Sequence, residues 1–241
     1  MKKRTLLLYL FLALMSPICA TAQSSDALDL LSSSKTYFEQ NPVFQTQLTY
    51  TLFRDKDNPV VIRSYDGILV KKQDDLYLKI HNTEFLLTKD ALIKVNHDQE
   101  AIEYTAGNTE AISQNPMAID QYLTLFADSE VTQQGNQTVC VLTTPKYTQL
   151  PYGAIDLFFN TENGALNKQI LTLVNPGAIP NENGEMDASL KYLAIEFKQI
   201  QIDPPNVSSY FESSKFVSGG KKTLSAATAL SNYKLIDRSI K

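Results

Sequence analysis

Tryptophan is absent from this 241-residue chain, and histidine and cysteine occur only twice each. Each scarcity removes a class of chemistry. Two histidines, His81 and His97, cannot complete a zinc site without further sulfur or imidazole ligands, which the chain lacks. Both read as surface or turn histidines. No Gly-x-Ser-x-Gly turn exists to expose a serine nucleophile. Glycine is sparse, and the Gly219-Gly220-Lys221-Lys222 stretch lacks the spacing of a phosphate loop. Close carboxylates such as Asp74 and Asp75 fall in turns, where water is their ordinary partner. The reading is therefore of a protein that is not an enzyme and takes no cofactor and no metal.

Long apolar runs are also lacking, with one exception at the start. Lys2, Lys3 and Arg4 precede an uninterrupted apolar run from Leu6 to Met15, broken by Ser16 and Pro17. Ala20-Thr21-Ala22 then places small residues where a signal peptidase reads them. That order is the pattern of a cleavable signal peptide, residues 1–22, with cleavage near Ala22. The run is shorter than the roughly 20 residues a membrane helix needs. Cys19, preceded by Ile18, is read as part of the discarded peptide and not as a lipidation site. Cleavage would leave 219 residues. It would remove three of the 22 Lys and Arg and none of the 26 Asp and Glu, giving a net charge of −7. That balance excludes nucleic acid as a partner. Cys140 would be the one remaining thiol, so no intrachain disulfide could form, and its apolar strand context reads as packing.

What is present is alternation. Leu28, Leu31 and Phe38 recur at helical spacing, ended by Asn41-Pro42. Phe44, Thr46, Leu48, Tyr50 and Leu52 then alternate with polar residues, the period of a strand with one apolar face. Strands follow over 60–72, with Gly67 as a bulge or a point of close approach, then 76–80, 84–88, 91–95 and 101–105. Short polar turns join them, so the natural arrangement is an antiparallel meander. Asn115 and Pro116 open a mid-chain helix whose stripe is Ile119, Tyr122, Leu123 and Phe126. Strands resume around two hairpin signals, Gly135-Asn136 and Asn163-Gly164. Residues 175–187 form a polar loop, Leu193, Ile195 and Phe197 alternate in the last long strand, and 213–231 reads as a mobile arm before a short strand at Tyr233, Leu235 and Ile236.

The fold class expected is mainly β with a few helices. A curved antiparallel sheet forms an incomplete barrel, with helices over its concave face. The domain plan is 1–22 signal peptide, 23–217 half-barrel and 218–241 flexible arm with the terminal strand. The apolar face admits two readings. It is a solid core, or it leaves a hollow for an apolar guest.

The order of elements resembles the LolA/LolB family of lipoprotein carriers. Gly67-Ile68-Leu69-Val70-Lys71-Lys72 is similar to that family's Gly-x-Leu-x-Val-Lys strand. Residues 87–95 resemble its Asp-Gly-Lys-Thr-Leu hairpin, with Asp90 at the Asp. Residues 155–170 resemble its Ile-x-Leu-x-Ile-Asp-x-x-Thr-Gly-x-Ile hairpin, and 197–211 its closing strand. The likeness spans nearly all of residues 27–217. It implies an incomplete barrel that holds acyl chains under a helical lid. The ligand-facing residues would be Leu48, Tyr50, Leu52, Leu76, Leu78, Ile80, Phe85, Leu87, Ile155, Leu157, Phe159, Leu193, Ile195 and Phe197, and the lid residues Ile119, Tyr122, Leu123 and Phe126. The partners implied are a lipid or lipoprotein acyl chain, a membrane-bound donor and a membrane-bound acceptor. The protein would work as a periplasmic monomer with no membrane span after signal cleavage. The chain departs from the family at its Arg-Pro pair, replaced here by Gln73-Asp74, and in its lack of tryptophan. The alternative function is a non-enzymatic envelope interaction protein with a filled core, acting as a subunit of a secretion or cell-wall assembly.

Overall fold

The computed structural model describes residues 25–107, 125–146, 150–174, 191–220 and 223–239. The expected signal peptide, most of the mid-chain helix and the 175–187 loop lie outside those residues.

Helix α1 (Ser25–Gln40) opens the described chain. Its buried stripe is Ala27, Leu31, Ser34 and Phe38, four positions that a 3.6-residue period brings to one side. Leu28, expected in that stripe, is one position off it and 42% exposed. Asn41 ends the helix, its side-chain amide donating to the Tyr37 carbonyl at 2.7 Å, and Pro42 prevents continuation.

The strands are β1 (Val43–Phe53), β2 (Val61–Lys72), β3 (Asp75–Ile80), β4 (Thr83–Leu87), β5 (Ala91–Asn96), β6 (Ala101–Ala106), β7 (Asp128–Gln134), β8 (Gln137–Thr143), β9 (Tyr152–Asn160), β10 (Leu166–Leu173), β11 (Tyr192–Ile202), β12 (Val217–Ser218), β13 (Ser225–Ala226) and β14 (Lys234–Asp237). Twelve form one sheet in the order β14-β6-β5-β4-β3-β2-β1-β11-β10-β9-β8-β7. The sheet is curved and open, an incomplete barrel with a helix, as the alternation predicts. Two antiparallel meanders, β1 to β6 and β7 to β11, join where β1 pairs with β11. β14 is the exception: it lies parallel to β6, pairing Leu235 with Ile102.

Gly67 sits in regular register between Leu48 and Ile80. It is a point of close approach and not a bulge. A Cβ there would stand 2.6 Å from the Lys79 carbonyl oxygen. In β1 the register shifts occur instead between Gln45 and Gln47 and between Leu52 and Phe53.

The inner face, on which α1 packs, carries the main core. Leu48, Leu69, Cys140, Leu142, Ile155, Leu157, Phe159 and Phe197 join Leu31 and Phe38 there. The outer face is apolar as well over β2 to β6, where Val70, Tyr77, Leu86, Ile93, Val95 and Ile102 form a second core. One apolar face covered by helices was the expectation. Two are found, and the second is covered by the C-terminal segment.

That segment was expected to be a mobile arm. Its described part carries 3-10 turns at Ser213–Lys215 and Thr228–Leu230 and the β12–β13 hairpin, after a further 3-10 turn at Val207–Phe211. Phe216, Val217 and Ala227 are buried. Fully burying a Phe or Val side chain contributes about 1.5–3 kcal/mol, enough to hold a short segment against the sheet. The expected boundary at 217/218 also falls inside β12.

Candidate apolar binding face

Nine of the fourteen strand residues expected to face a ligand are buried members of the inner core: Leu48, Leu76, Leu78, Leu87, Ile155, Leu157, Phe159, Ile195 and Phe197. Tyr50, Ile80, Phe85 and Leu193 pack against the same cluster while only partly buried. Leu52 is buried at 6%, opposite Leu193 in the β1–β11 ladder. Strand alternation alone brings these residues to one face, because every second side chain points the same way.

The face is not uniformly sealed. Phe38 packs on Phe44 with ring centroids 5.3 Å apart, and the Gly164 turn lies against Ser33 and Ser34. Those contacts set α1 over the end of the sheet where β1 begins and β9 turns into β10. Gly164 has a φ of +73°, so it takes the left-handed turn without strain. Within the same face Tyr50, Ile80, Tyr152, Leu171 and Leu193 are half-buried. Ile155, which pairs with Leu171 in the ladder, has no exposure, and neither do Leu157 and Phe159.

Of the lid residues, Ile119, Tyr122 and Leu123 lie outside the described residues. Phe126 lies inside them. It is buried and stacked on Tyr152, with centroids 6.3 Å apart and planes 16° from parallel. It therefore covers the part of the face where β9 begins.

One polar side chain in this face escapes the sequence pattern. Gln169 is 2% exposed and sits between Leu157 and Ile195 in register. Tyr50 stands on the far side of Ile195, and burial pushes its phenol well above the ordinary tyrosine range. Gln169 and Tyr50 thus place an amide and a neutral phenol on an otherwise apolar row. A few placed polar groups in an apolar lining are what orient a ligand in such a site. A glutamine in a strand ordinarily reads as solvent-facing, so only the ladder register reveals it.

Cys140 is fully buried in the same face, and burial pushes its thiol up to about 11. It stays protonated and unreactive near neutral pH.

On the outer side, His97 is more than a turn residue. Its Nδ1 lies 2.8 Å from the Tyr233 hydroxyl and its Nε2 2.8 Å from Glu84 Oε1. The Tyr77 hydroxyl donates to Glu84 Oε2 at 2.6 Å. Burial acts to raise the Glu84 carboxyl, but the hydrogen bonds from Tyr77 and His97 and the Lys79 ammonium outweigh it and hold it below the ordinary value. Among the described residues, no group of three His, Cys, Asp or Glu side chains is placed to hold a metal ion, and no helix is long and apolar enough to cross a membrane.

No protein-family model and no curated protein matches the chain. Solved structures do. One is an uncharacterized conserved protein from Thermus thermophilus, with a TM-score of 0.49 and 6% identity over 89% of this chain and 100% of that one. The lipoprotein LppX of Mycobacterium tuberculosis gives 0.43 and 10% over 77% and 100%. A LolA superfamily protein from Nitrosomonas europaea gives 0.37 and 11% over 76% and 96%.

Proposed function

We propose that this protein binds and carries an apolar ligand on the inner face of its open sheet, with an acyl chain of a lipid or lipoprotein as the ligand. One observation supports this above the rest. A continuous apolar face runs across the inner side of the sheet, buried at Leu48, Leu157 and Phe159 and left half-exposed at Tyr50, Ile80, Leu171 and Leu193. An acyl chain needs no directional contacts, only exclusion of water, at about 0.8 kcal/mol per buried methylene. Aliphatic and aromatic side chains give that and still release the guest. The Tyr50 hydroxyl would meet the ester or amide where the chain joins its head group.

In this reading the protein is periplasmic, exported on its signal peptide and monomeric. It takes its ligand from a membrane-bound donor and delivers it to a membrane-bound acceptor without covalent chemistry. Phe126, stacked on Tyr152, acts as part of the cover. Native mass spectrometry of protein purified from its own host tests the proposal. Bound lipid, displaced by a fluorescent fatty acid, is the expected result. An apo mass together with no uptake of the probe overturns it.

A second reading has its own observation. Ile155, Leu157 and Phe159 have no exposure, as in a filled core. If the filled part extends over the whole face, the protein acts through its surface as an envelope interaction partner.

A further inference from the structure

A separate cavity lies on the outer side of the sheet, away from the apolar face. It has a volume of about 580 Å³ and opens between the ends of β3 to β5 and the C-terminal segment, within the range of small-molecule sites. Its floor is Ala91, Val217 and Leu224, members of the outer core. Two aromatic rings, Tyr104 and Phe211, also line it, both half-buried.

The polar wall selects among ligand classes. Asp75 and Asp90 face the cavity, as does Lys89. None of these three side chains forms an ion pair or hydrogen bond among the described residues, although surface charges elsewhere do, as Lys94 and Arg238 with Glu103. Ser213 and Ser214 add hydroxyls to the rim. An anion would be opposed by two carboxylates. A cation would be opposed by Lys89 in the same wall. A wholly apolar guest would leave the carboxylates, the ammonium and the hydroxyls without partners as they lose water, which is costly. A neutral ligand with many hydroxyls meets all of them. Carboxylates accept two hydroxyl protons each, the ammonium and serines donate to ring oxygens, and aromatic rings pack against the apolar face of a sugar.

We infer that this outer cavity is a binding site for a neutral saccharide, seated on Tyr104 and Phe211 and hydrogen-bonded by Asp75, Asp90 and Lys89. The site is independent of the inner face, so one protein can hold an apolar ligand on one side and a glycan on the other.

The test is a nuclear magnetic resonance titration of the purified protein with chitotriose and, separately, cellotriose. The expected result is shift changes confined to residues 75, 88–91, 104, 211–219 and 224, with a Kd of order 0.1–10 mM. Asp75→Asn, nearly isosteric, is expected to weaken binding about tenfold with an unchanged thermal midpoint, and Tyr104→Ala to weaken it further. Three results overturn the inference: no change with either sugar at saturating concentration, changes that map elsewhere, or binding that Asp75→Asn leaves intact. Stronger shifts at the same residues with cadaverine or inorganic phosphate overturn it equally, because they make the site one for a charged ligand.

Discussion

His97 Nε2 lies 2.8 Å from Glu84 Oε1, and through its other ring nitrogen the same histidine meets Tyr233, 136 residues away. One imidazole thereby ties the β4–β5 hairpin to the residue that leads into β14. His97→Ala leaves the half-buried Glu84 and Tyr233 groups without that partner, at a cost of about 1–3 kcal/mol. Chemical denaturation of the variant, with hydrogen exchange of Leu235 and Ile236 as the local readout, checks this. Loss of global stability with unchanged exchange at β14 would show that the histidine does not hold the strand.

The same contact fixes a pH dependence. The Glu84 carboxyl is held below its ordinary value in the folded state. Its contribution is therefore present above the ordinary carboxylate pKa and is lost as pH falls through the lower, folded value. Glu84→Gln is expected to flatten the acid limb of the stability curve and to leave its slope near neutrality unaltered. Urea melts at several pH values measure both limbs.

Lining and packing separate by substitution along the inner face. Leu157→Ala, at a site with no exposure, removes core volume and costs about 2–5 kcal/mol. Leu193→Asn, at a half-buried site, is expected to cost less in stability and to lower affinity for a fluorescent fatty acid about tenfold. Equal stability losses, with probe binding unaffected by Leu193→Asn, would favour the filled-core reading.

Asp156 carries a further test. Its side chain is 5% exposed and paired with Lys56, while Oδ1 is buried with no hydrogen-bond partner. Lys56→Met strips the carboxylate of that pairing. Breaking a fully buried pair costs about 3–5 kcal/mol, and the 38% exposure of Lys56 places the expected loss below that range. The double variant Lys56→Met, Asp156→Leu is expected to recover most of the loss, since Asp156 pairs with Ile170 in the ladder and Ile170 lies in an apolar cluster with Ala194 and Phe53. A double-mutant cycle by thermal unfolding decides.

Gly67→Ala places a methyl group 2.6 Å from a backbone oxygen. The strands must part, at a cost of about 1–3 kcal/mol. A thermal midpoint equal to that of the parent would mean that β2 and β3 are free to shift.

How much of this was legible in the sequence follows from periodicity. Phe44 to Leu52 and Leu193 to Phe197 alternate without interruption, and their strands, shared face and antiparallel neighbours are where alternation puts them. The outer core was hidden for the same reason. In Leu76-Tyr77-Leu78 and Ala91-Leu92-Ile93 both parities are apolar, so alternation cannot tell one covered face from two. Its cover was harder still. Phe216, Val217, Leu224 and Leu230 lie at no regular spacing among serines, glycines and lysines, which read as a loose arm. The partners of His97 were invisible because Glu84 and Tyr233 reach it only through pairing, Glu84 beside Val95 across one ladder and Lys234 beside Ala101 across another. Gln169 needed the registers of β9 and β11 before it could be placed inside.

The seam between β1 and β11 has a kinetic consequence. Thr46 donates to the Lys198 carbonyl across 152 residues of chain, and β1 lies mid-sheet with its second neighbour among the last long strands. Contacts so distant in sequence form slowly, because the loop must close before they contribute. A nascent chain carries β1 half-paired until residues near 200 have emerged, and β14 cannot dock before the terminus does. Until that seam closes, the apolar rows on either side of it stay open to other chains, so the slowest contact to form is also the one that guards against aggregation.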